Sequence, residues 1–170
     1  MLSKDREILS FRQAAMLPVL LFVPTLLAVV LFPGTKVSSV IGIFFHLSAL
    51  IVVSRMPAPM WAAACGFGWL ILDVMCGAMM INNVPDAIAW PVRLGGHILA
   101  GVWIITVSLL CRQWDLRIVG VVVGVWLAAF TFFATELPIS LLGPPGILTC
   151  VWFSLLAWHY PHTPGEDQPA

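Results

Sequence analysis

Apolar residues run along this chain in long blocks, broken at intervals by proline, glycine, asparagine and charge. The blocks fall at residues 14–32, 37–54, 60–81, 87–111, 116–135 and 139–158. A hydrocarbon core of about 30 Å takes about 20 apolar residues at a rise of about 1.5 Å each. The pattern therefore predicts an all-α integral membrane protein, a compact bundle of six transmembrane helices joined by short loops. Two blocks are irregular. Residues 87–111 contain Pro91, Arg93 and His97, and the last block is interrupted by Gly143-Pro144-Pro145-Gly146. Two prolines remove two amide donors, and the flanking glycines permit an unwound bend. We place that break at the outer interface, with an uninterrupted helix over 147–158 and a short segment before it. Pro18 and Pro24 predict a bent first helix.

Composition narrows the class. The chain has 170 residues, 61% of them hydrophobic and 9% charged, with a mean hydropathy of +1.01. A soluble domain carries about 25% charged residues, so this chain has too few to cover a water-facing surface. The lipid bilayer is the partner that composition implies. Net charge is zero and no basic tract is present, so no nucleic-acid footprint exists. Residues 14–32 are too long for the core of a signal peptide and end in Phe32-Pro33-Gly34 rather than a small-x-small site, so they read as a retained span.

Charge then gives direction. With the N-terminus inside, Lys4, Arg6, Arg12, Arg55, Arg112 and Arg117 are cytoplasmic, as cytoplasmic loops favour. The outer side keeps Lys36, and Arg93 if its side chain reaches that surface. Both termini are thus predicted to be cytoplasmic, in a cell inner membrane. The organisation is a cytoplasmic N-terminus over 1–13, a transmembrane domain over 14–160 and a disordered cytoplasmic tail over 161–170. Trp61, Trp90, Trp114 and Trp158 fall near the predicted interfaces. Cys65, Cys76, Cys111 and Cys150 form no Cys-x-x-Cys pair and read as packing residues without disulfide or metal.

Ionisable residues inside the spans are the sharpest chemical signal, because each costs about 2.5–3.5 kcal/mol at mid-helix. His46, Asp73, Arg93 and His97 qualify. Counting from the outer ends, His46, Asp73 and His97 lie roughly 14 Å below the outer surface. Arg93 sits one turn above His97 on the same face. Their faces are rich in small residues: Ser39, Gly42, His46 and Ala49 on the second span, Gly66, Trp69, Asp73, Cys76 and Gly77 on the third. Arg93, His97, Ala100 and Gly101 share a stripe on the fourth. Small faces allow close helix approach, so these are predicted to point inward. The candidate binding residues are His46, Asp73, Arg93 and His97. The plain alternative is an Asp73–Arg93 pair, with each histidine bonded to a backbone carbonyl.

Other features are weaker. There is no His-Glu-x-x-His, no Gly-x-Ser-x-Gly and no phosphate-cradling loop. His159 and His162 have a spacing that could hold a metal, but without further ligands no metal site is assigned. Gly120, Gly124, Ala128, Thr131 and Thr135 form a small stripe on the fifth span, fit for close contact inside the bundle or against another membrane subunit.

The stretch Leu72-Asp73-Val74-Met75-Cys76-Gly77 resembles the third span of the rod-shape-determining MreD proteins, whose fold is similar to that of the six-span vitamin-uptake subunits. The resemblance rests mainly on one Asp and one Gly. Arg93 and His97 have no counterpart in it, and no site residue is carried over. Three function classes follow. The leading one is a small non-enzymatic subunit that binds a small solute or a partner protein within the bilayer, in a transport or scaffold role. The others are a haem-binding electron-transfer subunit using His46 and His97, and a membrane enzyme with Asp73 and His97 as acid and base.

Overall fold

The computed structural model describes residues 8–32 and 35–160, and all regular elements among them are helical. They are α1 (Phe11–Leu31), α2 (Val37–Arg55), α3 (Met60–Ile81), α4 (Asp86–Leu110), α5 (Trp114–Phe132) and α6 (Gly143–His159), with a 3₁₀ segment over Ile139–Leu142. Taking that segment with α6, the described residues form six helices long and apolar enough to cross a membrane. Lys4, Arg6, His162 and the tail over 161–170 lie outside the described residues.

Local chemistry sets several ends. α1 begins at Phe11, ahead of the predicted residue 14, because Ser10 and Gln13 form a capping box. Ser10 Oγ accepts from the Gln13 N–H at 3.2 Å, and Gln13 Oε1 accepts from the Ser10 N–H at 2.9 Å, so two amides that lack intrahelical carbonyls are satisfied. α1 then continues through Pro18 and Pro24 as one helix. α3 closes on Asn83, whose φ of 59° lies in the left-handed region that Asn tolerates.

The sixth span corrects its prediction. α6 starts at Gly143 rather than at 147, and Pro144 and Pro145 occupy its first turn. There an amide N–H has no intrahelical acceptor, and the fixed φ of proline suits the helix. The Pro-Pro pair therefore opens a helix instead of unwinding one.

The helices form a ring in chain order. Each packs on its sequence neighbours, and α6 closes the ring against α1. The outward faces carry Leu20, Val30, Phe44, Ile71, Leu109 and Val125, all exposed, as a lipid-facing surface requires. Aromatic rings fill the interior. Trp69 and Trp103 lie 6.0 Å apart, Trp103 and Trp152 5.6 Å, Trp152 and Phe153 5.2 Å, and Phe153 and Phe45 6.3 Å. His46, next to Phe45, meets Trp69 at 5.8 Å and closes the circuit. Trp61, Trp114 and Trp158 are exposed at helix ends. Trp90 instead turns toward His97, edge-on at 6.5 Å.

The two poles of the bundle differ. At the pole holding the start of α1, Arg55 Nη1 donates to Leu9 O at 2.8 Å, and Arg117 Nε donates to Cys111 O at 2.6 Å. His159 Nε2 meets Asp115 Oδ2 at 2.8 Å, and Tyr160 Oη donates to Gln113 Oε1 at 2.9 Å. These bonds join the α1 start to the α2 end, the α4 end to the α5 start, and the α5 start to the α6 end. The opposite pole carries Lys36, Asn82, Asn83, Asp86 and Glu136.

Candidate functional site

Asp73 stands in the middle of α3 with its side chain turned into the ring and only 3% exposed. Trp69, one turn earlier on the same helix, donates its indole N–H to Oδ2 at 2.6 Å; the i, i+4 spacing brings the two together. His46 of α2 places Nε2 3.1 Å from the same oxygen. Arg93 of α4 places Nε 3.5 Å from Oδ1. Gly96 of α4 lies directly against the carboxylate, where a Cβ would sit 3.4 Å from Asp73 Cγ and 3.5 Å from each oxygen. A Cβ there would make only ordinary contact, so Gly96 places the α4 backbone beside the carboxylate without a clash deciding its identity.

His46 is held on both sides. Its Nδ1 lies 2.7 Å from Gly42 O, one turn earlier on α2. A carbonyl oxygen only accepts, so Nδ1 carries the hydrogen, and the ring orientation and tautomer follow. His97 lies one turn along α4 from Arg93 and within the electrostatic field of Asp73, Arg93 and His46. Cys76, on the Asp73 face of α3, adds a thiol beside Arg93.

Three polar atoms of this cluster are buried without a hydrogen-bond partner: Asp73 Oδ1, Arg93 Nε and His97 Nδ1. The approach of Arg93 to Asp73 is thus an ion pair within Coulombic reach but outside hydrogen-bond geometry. An unpaired buried polar atom is costly where lipid offers no partner, and three such atoms fall in this one cluster.

The structure brings His46, Asp73 and Arg93 into direct contact, with His97 electrostatically coupled to them. Trp69 and Gly96 belong to the same site, and sequence reasoning gave them no role. The signal for Trp69 was present in its four-residue spacing from Asp73. Nothing in the sequence marks Gly96 from Gly95, which faces Leu72 instead.

The geometry also bears on the two other readings of these residues. Nδ1 of His46 faces Gly42 O and Nε2 faces Asp73, so an iron would have to displace Asp73 to reach His46 Nε2. Asp73 and His97 form no hydrogen bond to each other. Oδ2 is occupied by Trp69 and His46, and Oδ1 has no hydrogen-bond partner.

The small stripe of α5 is occupied within the ring. A Cβ on Gly124 would lie 2.8 Å from Gly101 O, and one on Gly120 would collide with Ser108 of α4. Another subunit therefore finds this face already covered. A wholly apolar groove of about 500 Å³ does lie open on α5, lined by Val122, Val125, Trp126, Ala129, Phe130 and Phe133; none of the cluster residues borders it. The four cysteines are free thiols. Compared with family models, with curated proteins and with solved structures, the chain matches none, so the local resemblance at 72–77 assigns no family.

Proposed function

We propose that this chain is a small non-enzymatic subunit of an inner membrane, with both termini cytoplasmic, that binds a small polar solute within the bilayer. The observation that carries this reading is the set of buried, unpaired polar atoms at Asp73, Arg93 and His97. Arg93 offers a charged donor, Asp73 an acceptor, and His97 a nitrogen able to do either. A solute presenting both an acceptor and a donor would pair all three in a medium where lipid can pair none. The cluster faces the interior of the ring, which favours a solute over a partner protein.

The test is mass spectrometry of small molecules that co-purify with the protein in lipid nanodiscs. Wild type is expected to carry a polar solute that is lost in Asp73→Asn and in Arg93→Gln at equal yields of folded protein. If no solute accompanies wild type, and Asp73→Asn only lowers the amount of folded protein, the cluster is structural and the reading fails.

A further inference from the structure

The same cluster carries a second ligand. We propose that His46 and Asp73 together form a binding site for one proton, and that loss of this proton transfers Asp73 from His46 to Arg93. This second ligand rests on the reading of the cluster as a binding site.

Hydrogen counting at the contact leads to the proton. Nδ1 of His46 is committed as a donor by Gly42 O at 2.7 Å. If the ring is neutral, Nε2 then has only a lone pair. Facing it at 3.1 Å is Asp73 Oδ2, which also has only lone pairs when the carboxylate is ionised. Two lone pairs do not attract at that distance, so the contact requires one hydrogen between them. That hydrogen resides on the imidazolium beside a carboxylate, or on the carboxylic acid beside a neutral imidazole. Both arrangements contain the same number of protons and the same total charge, so the proton belongs to the pair. Trp69 fits either form, because its indole N–H occupies the remaining lone pair of Oδ2.

The groups around the pair decide what happens when the proton leaves. α3 packs on α2 and α4. α2 contributes His46, and α4 contributes Arg93 and His97. Cys76 lies on α3 beside Arg93, and Asp86 at the start of α4 acts weakly on Cys76. Transfer of the proton to water leaves neutral His46, ionised Asp73 and a hydronium ion; no covalent bond between heavy atoms changes. The His46 contact becomes repulsive, and Arg93, with Nε 3.5 Å from the unpaired Oδ1, is left as the cation for a carboxylate no longer neutralised by the proton, with which it can close a full hydrogen-bonded pair. The loaded cluster has a net charge of one from Arg93, and the unloaded cluster is neutral. Proton release therefore shifts the carboxylate from α2 toward α4, which is the coupling a proton-driven carrier needs between its ion and its structure.

The decisive experiment is ¹⁵N NMR of histidine-labelled protein in nanodiscs from acidic to alkaline pH, with His97→Gln, His159→Gln and His162→Gln used to assign His46 among the four histidines. Wild type is expected to keep Nδ1 of His46 protonated throughout, while Nε2 passes from protonated to bare. In Asp73→Asn the proton affinity of His46 should fall by roughly tenfold to a thousandfold, the range an opposite charge in contact supplies. His46→Gln gives a second test through the infrared carboxyl band of Asp73, whose pH response should differ from wild type. The proposal is overturned if His46 does not titrate in wild type, or if its titration is the same in Asp73→Asn. A pair that titrates as described without any co-purifying solute removes the solute reading alone. A bound solute beside a pair that never changes protonation removes the proton alone.

Discussion

Three tryptophans inside the ring make closely related packing contacts but have different hydrogen-bond partners, and this separates charge from packing at single residues. Trp69 donates to the Asp73 carboxylate at 2.6 Å, Trp152 donates to the Ser108 hydroxyl at 2.9 Å, and Trp103 N–H is buried without a partner. All three are at most 4% exposed, so replacement by Phe removes a similar volume at each. A bond to a charged group contributes about 1.5–3 kcal/mol, and one between neutral groups about 0.5–1.5 kcal/mol. Trp69→Phe should therefore destabilise the most, Trp152→Phe less, and Trp103→Phe least, because the last change also removes an unpaired donor. Thermal unfolding of the three variants in one detergent tests the order. If Trp69→Phe costs no more than Trp152→Phe, the carboxylate is not being held through its charge.

At the scale of elements, the tightest seam lies between α4 and α5. A Cβ on Gly101 would stand 2.5 Å from Gly124 O and 2.9 Å from the Cβ of Ala128, so the helices must separate to admit it. A Cβ on Gly143, at the start of α6, would meet nothing within 4 Å. Gly101→Ala should cost about 1–3 kcal/mol through overpacking, whereas Gly143→Ala should be neutral or slightly stabilising through helix propensity. Equal melting temperatures for the two variants would contradict the seam. The Gly-x-x-x-Gly spacing at 120 and 124 was readable in the sequence as a close-contact face, but not which helix it meets, because small residues mark proximity and carry no partner identity. The six spans were readable because lipid demands long apolar runs. Their ends were less so: capping at Ser10 and the Pro-Pro opening of α6 depend on local bonds that hydropathy does not weigh. The cluster was readable as a candidate set of residues, since buried ionisable groups are costly and rare. Its wiring was not, since the tautomer of His46 and the closeness of Gly96 depend on backbone positions in three dimensions.

At the scale of the whole molecule, the asymmetry of the poles bears on how the cluster is reached. The pole with Arg12, Arg55, Arg112 and Arg117 carries more of the bonds between chain segments, among them Arg55 to Leu9 O and Tyr160 to Gln113, while the opposite half has Ser39 to Met80 and Thr131 to Leu94 O. The proposed orientation puts that arginine-rich pole on the cytoplasmic side. Within the cluster, exposure rises from 3% at Asp73 through 11% at His46 to 26% at Arg93, and Arg93 lies in the half of α4 that begins at Asp86, on the opposite pole. A solute drawn by Arg93 would then arrive from the outer side, through the pole with fewer cross-links to move. Orientation decides this, and single cysteines can read it. In a background with Cys65 and Cys150 replaced by Ala, and with Cys76 and Cys111 buried, Glu136→Cys should react with a membrane-impermeant maleimide in intact cells. Pro57→Cys, exposed at the arginine pole, should react only after the membrane is opened. The reverse pattern would place the arginines outside, and access through Arg93 would then run from the cytoplasm.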